Sequence, residues 1–309
     1  MECEFEEKQY EQLMNYELAE KGQIYPAGQC LEKDLGVDAA LFFSQNSQFW
    51  KQWNSSNIFN KKPGAKLDTE LWEIAEQKLR SGKFPKFKCN LFLQYKRPES
   101  VRSPNGKEYS YWNEPYLRYS IKEHQQETLC MLERKTTPHA LVVYACATFG
   151  RIDDLWKHAE RNTLVQNSNF VQPHDLIRHH RYTFVQNKEG GHAYSEPAKI
   201  EGINLLYEMG NLLQKPTNFI DNVQFIFHLS KNIEMTIESL DQKPNIWFHK
   251  IKDTIMYPEH QLARSFATIF AFNLFANTTW EIGYEFKPSS LSHQNETNDG
   301  RVTGFIDSL

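Results

Sequence analysis

A chain of 309 residues with 35 Lys plus Arg against 39 Asp plus Glu carries a formal net charge of −4, which excludes a histone-like electrostatic binder of nucleic acid. Its 40% hydrophobic, 24% charged and 14% aromatic residues exclude collagen-like and wholly disordered chains and suit one enlarged globular domain or two ordinary ones. The five cysteines (Cys3, Cys30, Cys89, Cys130, Cys146) are odd in number and lack a C-x-x-C pair, so a disulfide framework or zinc ribbon is not expected and a reducing, cytoplasmic setting is. The N-terminus MECEFEEKQYEQ is acidic where a signal peptide is basic and then apolar, and no apolar run approaches membrane-spanning length, so neither export nor a membrane partner is expected.

In chain order, Tyr10, Leu13, Met14 and Leu18 recur at three- and four-residue spacing and predict an amphipathic helix ending at Gly22. Leu35 to Phe43 (LGVDAALFF) predicts a buried strand, and the polar stretch 44–65 an insertion or long loop. Asp68 caps a charged helix running to about Leu79. Phe87 to Lys96 (FKCNLFLQYK) alternates as a strand that Arg97-Pro98 stops. A loop with a Pro-Asn-Gly turn, a helix from Ile121 to about Lys135, an apolar strand His139 to Phe149 and a helix from Arg151 follow. This succession predicts an α/β sandwich.

Beyond Asn162 two strand-like pieces (Leu164 to Val171, His180 to Gln186) and a loop at Gly190-Gly191 lead to three predicted helices, Ala198 to Gln214, Phe219 to Asp241 and Pro258 to about Thr279. Leu262, Phe266, Ile269, Phe270, Phe272 and Phe275 make the last one apolar nearly all round, which suits a core helix better than a dimer surface. Lys287 to Leu309 is Ser-, Asn- and Gly-rich and predicts a flexible tail.

Three pieces could carry chemistry together. Glu17 falls within the buried stripe of the first helix, Asp38 interrupts an apolar strand, and Gln94 and Lys96 share a face of the strand 87–96. Buried carboxylates need compensation, which a lysine and a divalent metal at one sheet edge would provide. Mg²⁺ (or Mn²⁺) takes oxygen ligands, here Glu17, Asp38 and Gln94, and acidifies a water for phosphodiester hydrolysis. Lys96 would neutralise charge growing on the phosphoryl oxygens. The structural alternatives are a Glu17–lysine ion pair, a strand end at Lys96-Arg97 that is merely solvated, and a Gln125 that satisfies a backbone group.

At these residues the chain resembles the PD-(D/E)XK nuclease superfamily, and within it the Mrr-like restriction endonucleases whose third motif reads Q-x-K. The resemblance spans roughly residues 5 to 160. It implies a restriction-endonuclease-like mixed sheet flanked by helices in residues 1–162, with a mixed and mainly helical C-terminal region in 163–286 and the tail 287–309. It further implies that Asp38 is the metal acid, Gln94 the third-motif ligand, Lys96 the catalytic lysine and Glu17 the helix acid, with Glu20 and Glu32 as competitors for the last role. Gln125 sits in the following helix, where several nuclease families place a glutamine. Two features depart from the family: the long gap between Asp38 and Gln94, which makes about 44–85 an insertion, and the neutral Gln94 in place of an acid. The implied activity is metal-dependent DNA cleavage in defence against foreign DNA, by a homodimer or larger complex. An RNA nuclease and a catalytically inactive binding module are the alternatives.

Seven basic residues against one acid between Lys83 and Lys107, interleaved with aromatic rings, would supply phosphate contacts through Lys88, Arg97 and Arg102, unless the run is only a solvated face. Tyr111 and Trp112 follow closely and could stack on bases. His174, His179, His180 and His192 lack the spacing of a metal motif, and Ser195 lacks a nucleophile elbow.

Overall fold

The computed structural model describes residues 3–21, 24–26, 69–82, 84–186, 190–195, 197–241, 245, 246, 248–250, 252 and 259–284. The predicted strand 35–43 with Asp38, the acid Glu32, Cys30, Lys83, most of the predicted insertion and the tail 287–309 lie outside the described residues. Helix α1 (Glu7–Glu20) and strand β1 (Ile24–Pro26) come first, then α2 (Thr69–Arg80), β2 (Phe87–Lys96), β3 (Glu99–Val101), the single turn α3 (Tyr109–Trp112), β4 (Tyr116–Ser120), α4 (Glu123–Thr136) and β5 (Ala140–Ala147). Helix α5 (Ile152–Glu160), β6 (Ser168–Val171), β7 (Arg181–Phe184), β8 (Gly191–Tyr194), β9 (Ala198–Ile200), α6 (Leu205–Gln214), α7 (Asn222–Glu238), α8 (Gln261–Ala276) and β10 (Thr279–Tyr284) follow.

Among the described residues the elements form a mixed α/β structure with two five-stranded sheets. The first has the order β1-β10-β2-β5-β6, with β2 and β5 parallel from Asn90↔Ala140 to Lys96↔Cys146 and every other pair antiparallel. Parallel neighbours need a crossover, and α4 makes it after the chain has detoured through β3, α3 and β4. The second sheet, β3-β4-β7-β8-β9, is antiparallel throughout.

Strand β2 is buried on both faces, so that even its polar residues Asn90 and Gln94 lie inside. Cys89, Leu91, Leu93 and Tyr95 face α1, where Tyr10, Met14 and Leu18 cover them, together with Leu205, Met209 and Leu212 of α6. Phe92 faces the other way, into a larger core shared by α4, α7, α8 and the second sheet. Phe272 of α8 meets Phe92 edge-on at 6.0 Å, so the apolar face of this helix belongs to the core; Leu274 is exposed.

Two helix predictions change. Residues 198–200 form the edge strand β9, and α6 starts only after Asn204, whose side chain accepts a hydrogen bond from the Tyr207 amide as an N-cap. Helix α8 stops at Ala276 because Asn277 takes a left-handed conformation, φ 53°, a geometry asparagine tolerates at helix ends. The β-branched and aromatic run after it then forms β10, which enters the first sheet between β1 and β2.

Beside the second sheet, Glu108, the residue before α3, is buried near Arg118 and Arg181 and accepts a hydrogen bond from the Tyr116 hydroxyl at 2.7 Å and one from the Arg181 guanidinium. Burial alone would raise its pKa, but the bonds from Tyr116 and Arg181 hold the carboxyl below its usual value. Glu108→Gln is expected to cost about 2 kcal/mol at neutral pH, measured by urea unfolding. A depressed carboxyl stabilises the fold above its unfolded pKa and loses that contribution as the pH falls through its folded value, so the gap between wild type and variant should close below about pH 4.

Candidate active site

In open α/β sheets ligands bind beyond the carboxyl ends of the parallel strands. The carboxyl ends of β2 and β5 lie together, since Lys96 is opposite Cys146. The N-terminal segment crosses this edge: the Glu4 amide donates to the Gly150 carbonyl at 2.8 Å, and the Arg97 guanidinium donates to the Cys3 carbonyl. Helix α4, which descends from the end of β2 toward the start of β5, begins at the same edge, and its first turn carries Gln125.

Three of the predicted residues meet here. Gln94 and Lys96, two residues apart on β2, both face α4 and α8. The Gln94 side-chain amide donates to the Ala276 carbonyl at the end of α8 at 3.1 Å, and the Gln125 amide donates to the same carbonyl at 3.4 Å. The Lys96 ammonium donates to Gln125 Oε1 at 3.3 Å and lies 5.2 Å from the Tyr144 ring centre. Burial pushes the Lys96 pKa down to about 8, against the opposing pull of the Glu7 carboxylate. Gln94 is fully buried, yet its Oε1 has no hydrogen-bond partner among the described residues. An unpaired oxygen two residues from a lysine fits, in donor type, the hard cation expected at this motif.

Glu17 is elsewhere. It is buried, as its place on the helix wheel predicts, but on the opposite side of the sheet from Gln94 and Lys96. Its Oε2 accepts the Leu164 amide at 2.5 Å, its Oε1 the Val165 amide at 3.2 Å, and Lys21 lies 3.3 Å away. Both oxygens therefore anchor the turn before β6 and do not suit a metal shared with Gln94. Glu20 pairs with the Asn162 side chain at 2.8 Å.

The basic residues separate as well. Lys88 is near the start of β2, about 26 Å along the strand from Lys96 at 3.3 Å per residue. Arg97 is at the site edge and lies 3.4 Å from Glu6, while Arg102 is exposed in the loop after β3. Trp112 Nε1 donates to Thr183 at 3.1 Å, and its ring meets His192 edge-on at 4.9 Å, leaving Tyr111 half exposed on the second sheet. The remaining histidines are tied to local partners: His174 to Glu133 at 2.8 Å and Asp175 at 3.2 Å, and His180 to Ser195 at 2.8 Å. The Ser195 amide donates to His179 at 3.2 Å, and its hydroxyl to the Arg178 carbonyl at 3.1 Å, so this serine closes a turn. Cys3, Cys89, Cys130 and Cys146 are buried free thiols.

Two partners of the site were not visible in the local pattern. The Ala276 carbonyl reaches it because α8 ends at the sheet edge, and Glu7 because α1 starts there. Among the described residues no group of three His, Cys, Asp or Glu side chains is arranged to hold a metal ion, and no helix is long and apolar enough to cross a membrane. Comparison of the chain with protein-family models, with curated proteins and with solved structures finds no match.

Proposed function

We propose that this chain is a Mg²⁺-dependent nuclease of restriction-endonuclease-like fold that hydrolyses phosphodiester bonds of DNA. The observation that carries the reading is the Lys96 ammonium, drawn into the sheet edge beside Gln94, whose buried oxygen is unpaired among the described residues, and steadied by Gln125. The crossover from β2 to parallel β5 through α4, with α1 on the opposite face, favours this reading, while the antiparallel neighbour of β2 is β10 from the C-terminal region and not the strand of Asp38.

In this reading Lys96 neutralises the charge that grows on the phosphoryl oxygens, and Gln125 orients it through Oε1. Gln94 and Asp38 hold the metal, which supplies Lewis-acid charge when bound. Arg97 and Arg102 bind phosphates along the approach, whereas Glu17 serves the fold. Action against foreign DNA is the setting that the Q-x-K resemblance implies. The second reading, a catalytically silent module that binds nucleic acid, is favoured by the neutral amide of Gln94, which removes a charge from the cation site.

Supercoiled plasmid incubated with Mg²⁺ or Mn²⁺ separates the two. Wild type is expected to nick or linearise it, and Asp38→Ala and Gln94→Ala to do so at most weakly while remaining folded. Binding without cleavage, on plasmid and on labelled RNA alike, overturns the nuclease reading, and cleavage of RNA alone changes the substrate.

A further inference from the structure

Glu281 is in the middle of β10, between β1 and β2, with none of its side chain exposed. Neither carboxyl oxygen has a hydrogen-bond partner among the described residues. A carboxylate in that position suffers the full penalty of desolvation with nothing returned, so its surroundings should show what it is for.

They show a polar stripe. Glu7, Glu11 and Asn15 follow one another at four-residue spacing and form a stripe along α1. The stripe lies against β10 and β2: Glu7 accepts from the Asn277 amide at 3.0 Å, Glu11 Oε1 accepts from the Thr279 hydroxyl at 2.9 Å, and Asn15 accepts from the Tyr95 hydroxyl. Thr279 and Glu281 are two residues apart and so stand on one face of β10, the face toward α1. Glu11 and Glu281 thus stand where α1 faces β10, close enough for the Glu11 charge to disfavour ionisation of Glu281. The other oxygen of Glu11 pairs with Lys8 at 2.6 Å, on the solvent side, where the Lys8 side chain is 66% exposed.

The Glu11 and Glu281 carboxyl groups and the Thr279 hydroxyl offer oxygen ligands, which is the chemistry of a hard divalent cation and not of a soft metal. Glu11 is partly exposed and gives an ion a way in past Lys8. We propose that Glu11 and Glu281, with the Thr279 hydroxyl, bind a divalent cation such as Mn²⁺, Mg²⁺ or Ca²⁺ and so fasten α1 to β10. The site is on the opposite face of the sheet from Gln94 and Lys96 and does not depend on the nuclease reading. In the metal-free protein, burial and the neighbouring Glu11 charge push Glu281 up to about 8, so a proton occupies the place that the cation takes.

The test is calorimetric titration of the full chain with Mn²⁺ at pH 8, in an Asp38→Ala, Gln94→Ala background that removes the proposed catalytic ligands. One equivalent is expected to bind and to raise the thermal midpoint. Adding Glu281→Gln should weaken that binding about tenfold or more and abolish the midpoint shift. Glu11→Gln, at a partly exposed position, should do the same and guards against a misfolded Glu281 variant. Binding of Mn²⁺ with unchanged affinity in both variants, or no Mn²⁺ binding at millimolar concentration in the background protein, overturns the proposal. Plasmid cleavage by the wild-type chain is a separate measurement, so either proposal can fail without the other.

Discussion

Lys96→Ala is expected to slow Mg²⁺-dependent plasmid cleavage by about 10²- to 10³-fold, the usual effect of removing a group that stabilises transition-state charge. Its folding should be nearly unaffected, because the ammonium is held in a mostly apolar place and its removal relieves desolvation while forfeiting one 3.3 Å hydrogen bond to Gln125. Initial nicking rates and thermal melts on the same preparation measure both. Gln125→Ala should give a smaller loss of rate in the same direction, since it leaves the ammonium in place but less well aimed. Equal rates for wild type and Lys96→Ala would remove the lysine from the chemistry, and the catalytic reading with it.

Glu17→Ala is expected to behave in the opposite way. It leaves the buried amides of Leu164 and Val165 without an acceptor and Lys21 without its partner, a loss on the order of 3 kcal/mol in urea unfolding. Cleavage per folded molecule should be preserved to within about twofold, the scatter ordinary for a substitution remote from the chemistry. If stability were unchanged and cleavage abolished, Glu17 would be the helix acid that the resemblance implies. The pair of variants thus assigns each buried charge to the site or to the scaffold. A burial argument cannot do so, because it is the same for both.

Burial of Glu17 was legible from the helix wheel, and its partners were not. The carboxylate is satisfied by two main-chain amides nearly 150 residues downstream, 147 and 148 positions away, and no local pattern encodes such a pairing. Gln94, Lys96 and Gln125 were easier: a two-residue step places the first two on one strand face, and a parallel crossover returns the helix over that face. In α4 it is the neighbouring Gln126 that lies fully inside, bonded to the Tyr144 hydroxyl at 2.6 Å, while Gln125 is half-buried at the edge.

Taken alone, the residues of this chain determine the type of its long elements and the extent of some, since alternation marks β2 over Phe87–Lys96 and three- and four-residue spacing marks α1 and α4. They also determine which side of β2 bears the amide and the ammonium. Only the tertiary structure decided that a strand from residues 279–284 would sit beside β2, that short segments such as β3, β8 and β9 would find a second sheet, and that the α1 acids would line up against Glu281. Periodicity is a property of neighbours along the chain, whereas strand pairing and charge burial depend on groups brought together from opposite ends of it.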